Sequence, residues 1–200
     1  MHGLRQAHPQ AAVVEPAVRL DLHGVPDGDG TRKEPGTVRT FVRLFAAVAN
    51  LVLLDAVTKE LAAAKLKNAA AVPVIPGFFN LAYVENRGCA WGLFQDQVWP
   101  LAVVGVLALG VLVWKRREIF GIAATGWRRV CGAVCEGLLY AGIVGNLIDR
   151  VCRGYVIDFL DFHWGRAHFP CFNVADICIS LAAAGLIALS FTAKSPEKKG

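Results

Sequence analysis

Four long stretches almost without charge dominate this chain and limit what it can fold into. They run from about Phe41 to Leu61, Val98 to Trp114, Val130 to Ile148 and Val174 to Thr192. About 20 mainly apolar helical residues cross the roughly 30 Å hydrocarbon core of a bilayer, so each stretch is read as a membrane span. The second and fourth hold almost only Ala, Val, Leu, Ile and Gly in their centres. The first carries Arg43 and Asp55, and the third carries Glu136. Charged residues make up 18% of the chain and hydrophobic ones 55%, whereas a soluble domain carries about 25% charged residues. No room is left for a separate soluble catalytic domain. The expected fold is an all-α membrane protein, with four transmembrane helices in residues 41–193 and a small extracytoplasmic β-sheet region. Residues 1–40 are polar, punctuated by Gly and Pro, and lack a signal-peptide pattern. They are read as a disordered cytoplasmic tail, and 194–200 as a second, short cytoplasmic tail.

Basic residues set the orientation. Lys115, Arg116, Arg117, Arg128 and Arg129 flank one short loop, where the positive-inside rule is most reliable. Both termini are therefore expected in the cytoplasm. The net charge of +5 is explained by this sidedness. No basic stripe is interleaved with exposed aromatics, so nucleic acid is excluded as a partner. The two outward segments, 62–97 and 149–173, each contain a β-prone run, Phe78 to Val84 and Tyr155 to Phe162, which together could form a sheet resting on the bilayer surface.

Polar residues gather at one level. Asp55 lies near the outer end of the first span, Asn146 and Asp149 at the outer end of the third, and Asn173 and Asp176 bracket the outer start of the fourth. Ionisable groups at membrane depth are costly and usually face a functional interior. Helix capping and interfacial anchoring are the bland alternatives: Asn173 is a fair N-cap, and Asp55 could pair with Lys59 one turn on. Capping accounts for each residue singly but not for their convergence.

The residue inventory narrows the chemistry. No G-x-S-x-G surrounds Ser180, Ser190 or Ser195, and H-E-x-x-H is absent. The six cysteines form no C-x-x-C pair or zinc spacing. They are expected to be free packing residues, with a disulfide among Cys89, Cys152 and Cys171 left open. Carboxylates remain. Two held close together share a proton, and such a pair can activate water against a carbonyl and then protonate the leaving amine. The same acids could instead hold Mg²⁺ for phosphoryl transfer, so spacing alone leaves both open.

The ordered motifs go further. Gly142-Ile-Val-Gly145-Asn146-Leu-Ile-Asp149-Arg150, continuing through Gly154-Tyr-Val-Ile-Asp158-Phe159, resembles the lipoprotein signal peptidase (signal peptidase II) family. So do Phe169-Pro-Cys-Phe172-Asn173-Val-Ala175-Asp176, Asp55-Ala-Val-Thr58-Lys59, and Val84-Glu85-Asn86-Arg87-Gly88-Cys89-Ala90-Trp91-Gly92. The resemblance covers about residues 41–192. It implies an aspartic endopeptidase of the bacterial cytoplasmic (inner) membrane that needs no metal or other cofactor. Its substrates would be diacylglyceryl-modified prolipoproteins, cut just before the lipidated cysteine. Membrane lipids would be the other partners, and a monomer is expected. By the same resemblance Asp158 and Asp176 are the catalytic pair. Asp55, Lys59, Asn86, Gly88, Asn146, Asp149, Arg150 and Asn173 would bind substrate or support the site. Asp158 is expected in a loop folding back onto Asp176 at the extracytoplasmic face. Asp161 is its rival, set aside only by motif register, and Arg150 is expected to brace Asp149 or meet a lipid phosphate. Glu136 is expected to face Arg128 or Arg129, or to pack in the bundle.

Two rival functions remain. A Mg²⁺-dependent membrane phosphotransferase would place its acids on the cytoplasmic side and fail with chelators. A small ion-conducting helix bundle would spread its acids through the membrane depth.

Overall fold

The computed structural model describes residues 35–120 and 126–192. Most of the expected tails, residues 1–34 and 193–200, lie outside the described residues. The elements run α1 (Pro35–Leu66), β1 (Val72–Ile75), β2 (Phe79–Asn86), a single 3₁₀ turn (Ala90–Gly92), α2 (Val98–Trp114), α3 (Arg116–Ile119), α4 (Gly126–Arg153), β3 (Val156–Trp164), β4 (Ala167–His168) and α5 (Val174–Phe191). All four expected apolar stretches are helical. Two of the resulting helices, α4 and α5, are long and apolar enough to cross a membrane, and α2 is a shorter apolar helix of 17 residues. Helix α1 is longer than its apolar stretch. It begins at Pro35, inside the expected tail, and its 32 residues extend about 48 Å at 1.5 Å per residue.

Small residues let the helices approach. Gly142 and Gly145 of α4 lie against Ala175 and Ile179 of α5, and a Cβ at Gly145 would sit 2.6 Å from the Asp55 carboxylate of α1. Apolar side chains meanwhile point outward: Val103, Val106, Leu107 and Val113 of α2, and Leu53, Leu54 and Leu61 of α1, are all exposed. A soluble bundle hides such residues, so an apolar exterior with a polar interior is the pattern of a protein in lipid.

Segments 62–97 and 149–173 pair as one antiparallel sheet in the order β1-β2-β3-β4. In β2 the register shifts between Leu81 and Val84 and then places Val84 opposite Asp158 and Asn86 opposite Val156. Asp158 therefore stands on a central strand, not in a loop. A bridge between Leu160 and Phe172 draws the chain before α5 alongside β3, with Phe159 and Leu160 N–H both donating to the Phe172 carbonyl at 3.0 and 2.9 Å. This bridge carries the start of α5 to the strand bearing Asp158.

Candidate active site

Among the described residues seven polar or charged side chains are buried: Asp55, Lys59, Glu136, Asn146, Asp149, Asp158 and Asn173. All but Glu136 belong to one network. At its base is Lys59, 1% exposed, which meets Asp55 Oδ2 at 2.8 Å, Asp149 Oδ2 at 3.0 Å and Asn146 Oδ1 at 3.0 Å. An ammonium has three donors, and all three are matched. The two acids are held further: the Ala175 N–H donates to Asp55 Oδ1 at 2.8 Å, the Ile157 N–H to Asp149 Oδ2 at 3.3 Å, and Arg153 Nε to Asp149 Oδ1 at 3.0 Å. This ties α1, α4, β3 and α5 together at one level.

Asn146 connects that base to the layer above. Its Nδ2 donates to Asp176 Oδ1 at 2.7 Å, while its Oδ1 also accepts from Asn173 Nδ2 at 3.2 Å. Asn173 in turn donates to Asp158 Oδ1 at 2.7 Å. Asn86 donates to Asp158 Oδ2 at 2.9 Å and is itself fixed by the Gly88 N–H, 2.9 Å from its Oδ1. Asn173 and Asp176 also form a capping box at the start of α5: the Asp176 N–H donates to Asn173 Oδ1 at 3.0 Å and the Asn173 N–H to Asp176 Oδ2 at 3.2 Å. The capping alternative is thus realised, and by the same atoms that enter the cluster.

The two sides of β3 separate Asp158 from its rival. Residues three apart on a strand face opposite ways. Asp158, 2% exposed, faces the Asn173–Asp176 end of α5, and burial together with the neighbouring charge of Asp176 pushes its carboxyl up to about 7. Asp161 instead bonds Asn80 at 3.1 Å and His168 at 2.9 Å. Burial would raise its carboxyl, but those hydrogen bonds outweigh it and hold the group below its ordinary value.

A cavity of about 620 Å³ opens beside the acids, with Asn86, Asn146, Arg150, Asp158 and Asp176 on its polar side and Leu101, Val104, Ile143, Leu147 and Leu181 on its apolar side. Cys171 also lines it, its thiol pushed up to about 12 by burial and the Asp158 charge. Beyond Cys89, which lines the cavity, the segment after Asn86 turns through left-handed backbone at Trp91, Phe94 and Asp96. Cys89 N–H bonds the Leu93 carbonyl at 2.8 Å, so close to Gly88 that a Cβ there would collide with it.

Asp55, Lys59, Asn86, Gly88, Asn146, Asp149, Arg150, Asp158, Asn173 and Asp176, the site residues expected from the sequence, are all brought into this region. Two pairings differ from expectation. Arg150 does not brace Asp149; it donates to the carbonyls of Asn146 and Gly88 at 3.3 and 3.2 Å. Arg153, four residues beyond Asp149, makes that contact and also bonds Glu60. Its place on the Asn146–Asp149 stripe, at helical spacing, was the available signal. Glu136 is buried, as the packing alternative has it, and pairs with Arg116 rather than with Arg128 or Arg129. All six cysteines are free.

Comparison with known proteins settles the family. The family model described as "Signal peptidase (SPase) II" matches residues 47–192. This chain is a member of the signal peptidase II family. It is similar to the lipoprotein signal peptidase of Symbiobacterium thermophilum, 38% identical over 149 residues that cover 74% of this chain and 92% of that protein. It is also similar to that of Syntrophotalea carbinolica, 38% identical over 151 residues, covering 72% and 89%. A bacterial membrane enzyme solved by the in meso method superposes with a TM-score of 0.63 at 30% identity, covering 78% of this chain and 94% of that one. The matched span contains the whole buried network, and the apolar helices agree with the membrane character of the solved enzyme.

Proposed function

We propose that this signal peptidase II removes signal peptides from diacylglyceryl-modified prolipoproteins, with Asp158 and Asp176 as its catalytic pair. The observation that carries the assignment is the Asn173 side chain, which holds Asp158 with its amide nitrogen and caps the backbone of Asp176 with its oxygen. The two carboxyl groups thereby face one cavity while their charges interact. Asp158, pushed up to about 7, holds the shared proton. Asp176 sits at a helix N-terminus, where negative charge is favoured, and accepts a water proton as that water attacks the scissile carbonyl. Asp158 protonates the carbonyl oxygen to give a gem-diol; as that collapses, the proton taken by Asp176 passes to the departing amine and a diol hydroxyl returns its proton to Asp158, so the pair ends with one proton again. Asn86, Asn146 and Asn173 orient the carboxyl groups without adding charge.

Arg150 and the apolar wall of α2, α4 and α5 are suited to a substrate that is part peptide and part lipid. The diacylglyceryl chains would lie along Leu101, Val104 and Leu147, leaving the peptide bond at the acids. The peptidase unit is residues 41–193, its four helices spanning the bacterial cytoplasmic membrane with both termini inside and the sheet and acids at the extracytoplasmic surface. The clustering of basic residues around 115–129 supports that orientation. Neither rival gains support: the acids converge at one level, unlike a conducting path, and that level is opposite the basic loop, away from cytoplasmic nucleotides.

The test is cleavage of a diacylglyceryl-modified precursor by the purified protein. Asp158→Asn and Asp176→Asn should each remove cleavage while the thermal transition persists, and EDTA should leave the wild-type rate unchanged. Wild-type turnover in either variant would overturn the assignment.

A further inference from the structure

A second cavity lies on the other side of the sheet from the acids. It measures about 230 Å³ and is walled by Thr58, Leu61, Ala62 and Leu66 of α1 and by Leu81 and Phe159 of the strands, with Lys65 at its rim. Its α1 wall follows from helical spacing, since 58, 61, 62, 65 and 66 share one stripe. The Thr58 hydroxyl is consumed by the Leu54 and Asp55 carbonyls, so Lys65 supplies the polar chemistry. Lys65 is exposed and stands in the last turn of α1, and its ammonium makes no ion pair or hydrogen bond among the described residues. Neighbouring Lys67 differs, being engaged by Glu85 at 3.2 Å.

The groove is continuous with the outward apolar face of α1, through exposed Leu54, Val57 and Leu61. An apolar slot that opens on the lipid side and ends at an uncommitted cation matches one chemistry: a hydrocarbon chain joined to an anionic head. We propose that this groove binds one acyl chain of an anionic phospholipid, with Lys65 meeting its phosphate. Lysines at helix ends reach toward the headgroups in this way. The floor of the groove is Phe159, the residue after Asp158, on the opposite face of β3. A bound chain would therefore fill the space behind the strand that carries the proton-holding acid.

The experiment is native mass spectrometry of the full-length protein released from nanodiscs holding equal phosphatidylglycerol and phosphatidylcholine with the same acyl chains. The wild type should retain phosphatidylglycerol in preference. Lys65→Gln should cut that preference about fivefold, the worth of one lysine at an anionic surface, and Lys65→Arg should restore it. Leu81→Trp, which fills the slot, should lower retention of both lipids together. An unchanged preference in Lys65→Gln overturns the proposal. So does unchanged retention in Leu81→Trp, or a wild-type signal in which the groove's occupant is a second protein copy rather than lipid.

Discussion

Helix α4 buries two acids, Glu136 in its first half and Asp149 near its finish, and the two are handled differently. In its first half Glu136 meets a cation, Arg116, where Phe120 is buried and its ring lies 5.9 Å edge-on from that of Tyr140. Near its finish Asp149 shares Lys59 with Asp55, and the network continues through Asn146 and Asn173 to a cavity. Both acids sit in an apolar segment, yet only one leads to carboxyl groups that line a cavity. A buried charge in a membrane helix thus marks cost. Function is marked by what the charge holds in place and whether that faces an opening.

The sharpest way to break this comparison is to neutralise one acid in each of the two buried clusters. Asp158→Asn should reduce turnover of a lipid-modified precursor by roughly 10²–10⁴-fold or more, the scale of a lost acid–base group. Glu136→Gln should leave turnover near wild type and lower only the denaturation midpoint. Similar activity losses in the two would erase the distinction. Stability comes next. Lys59→Met strands Asp55 and Asp149 and should cost about 3–5 kcal/mol, read by denaturant titration in detergent, against about 1–3 kcal/mol for Glu136→Gln.

The pH dependence separates the two clusters more finely. Asp158 is raised from 3.8 to about 7 by burial and the charge of Asp176, so the folded state holds its proton more tightly than the unfolded chain does. Its contribution to stability is complete below pH 3.8 and is lost as pH rises through about 7. The precursor kcat/KM should therefore fall above pH 7, and Asp158→Asn should melt higher relative to wild type at pH 8 than at pH 5. A flat profile across pH 6–8 would contradict the shared proton. The smallest effect belongs to Asp161→Asn, which should keep most activity because that carboxyl is spent on Asn80 and His168.

The four helices were legible because long, mainly apolar stretches with few charges have few other folds, and the cluster because Asp55, Asn146, Asp149 and Asp176 fall at matching ends of them. What resisted reading was strand geometry. Taking Asp158 for a loop residue hid that the alternation of β3 turns Asp158 and Asp161 to opposite faces. Long-range pairings were equally hidden: nothing local tells Arg116 from Arg128 as the partner of Glu136, because docking of α3 against Gly132 decides it. Helix overhang was missed too, since the extra turns of α1 at Pro35 and of α4 at Arg153 are too polar to register in an apolar window.

The capping box at the head of α5 has a practical outcome. One side chain, Asn173, both starts the helix and steers the Asp158 carboxyl, so fraying of a single turn would disarm the enzyme while the remaining turns stayed folded. Heat inactivation should then precede bulk melting, and agents that stiffen this one turn would lengthen working life without altering the rest of the bundle.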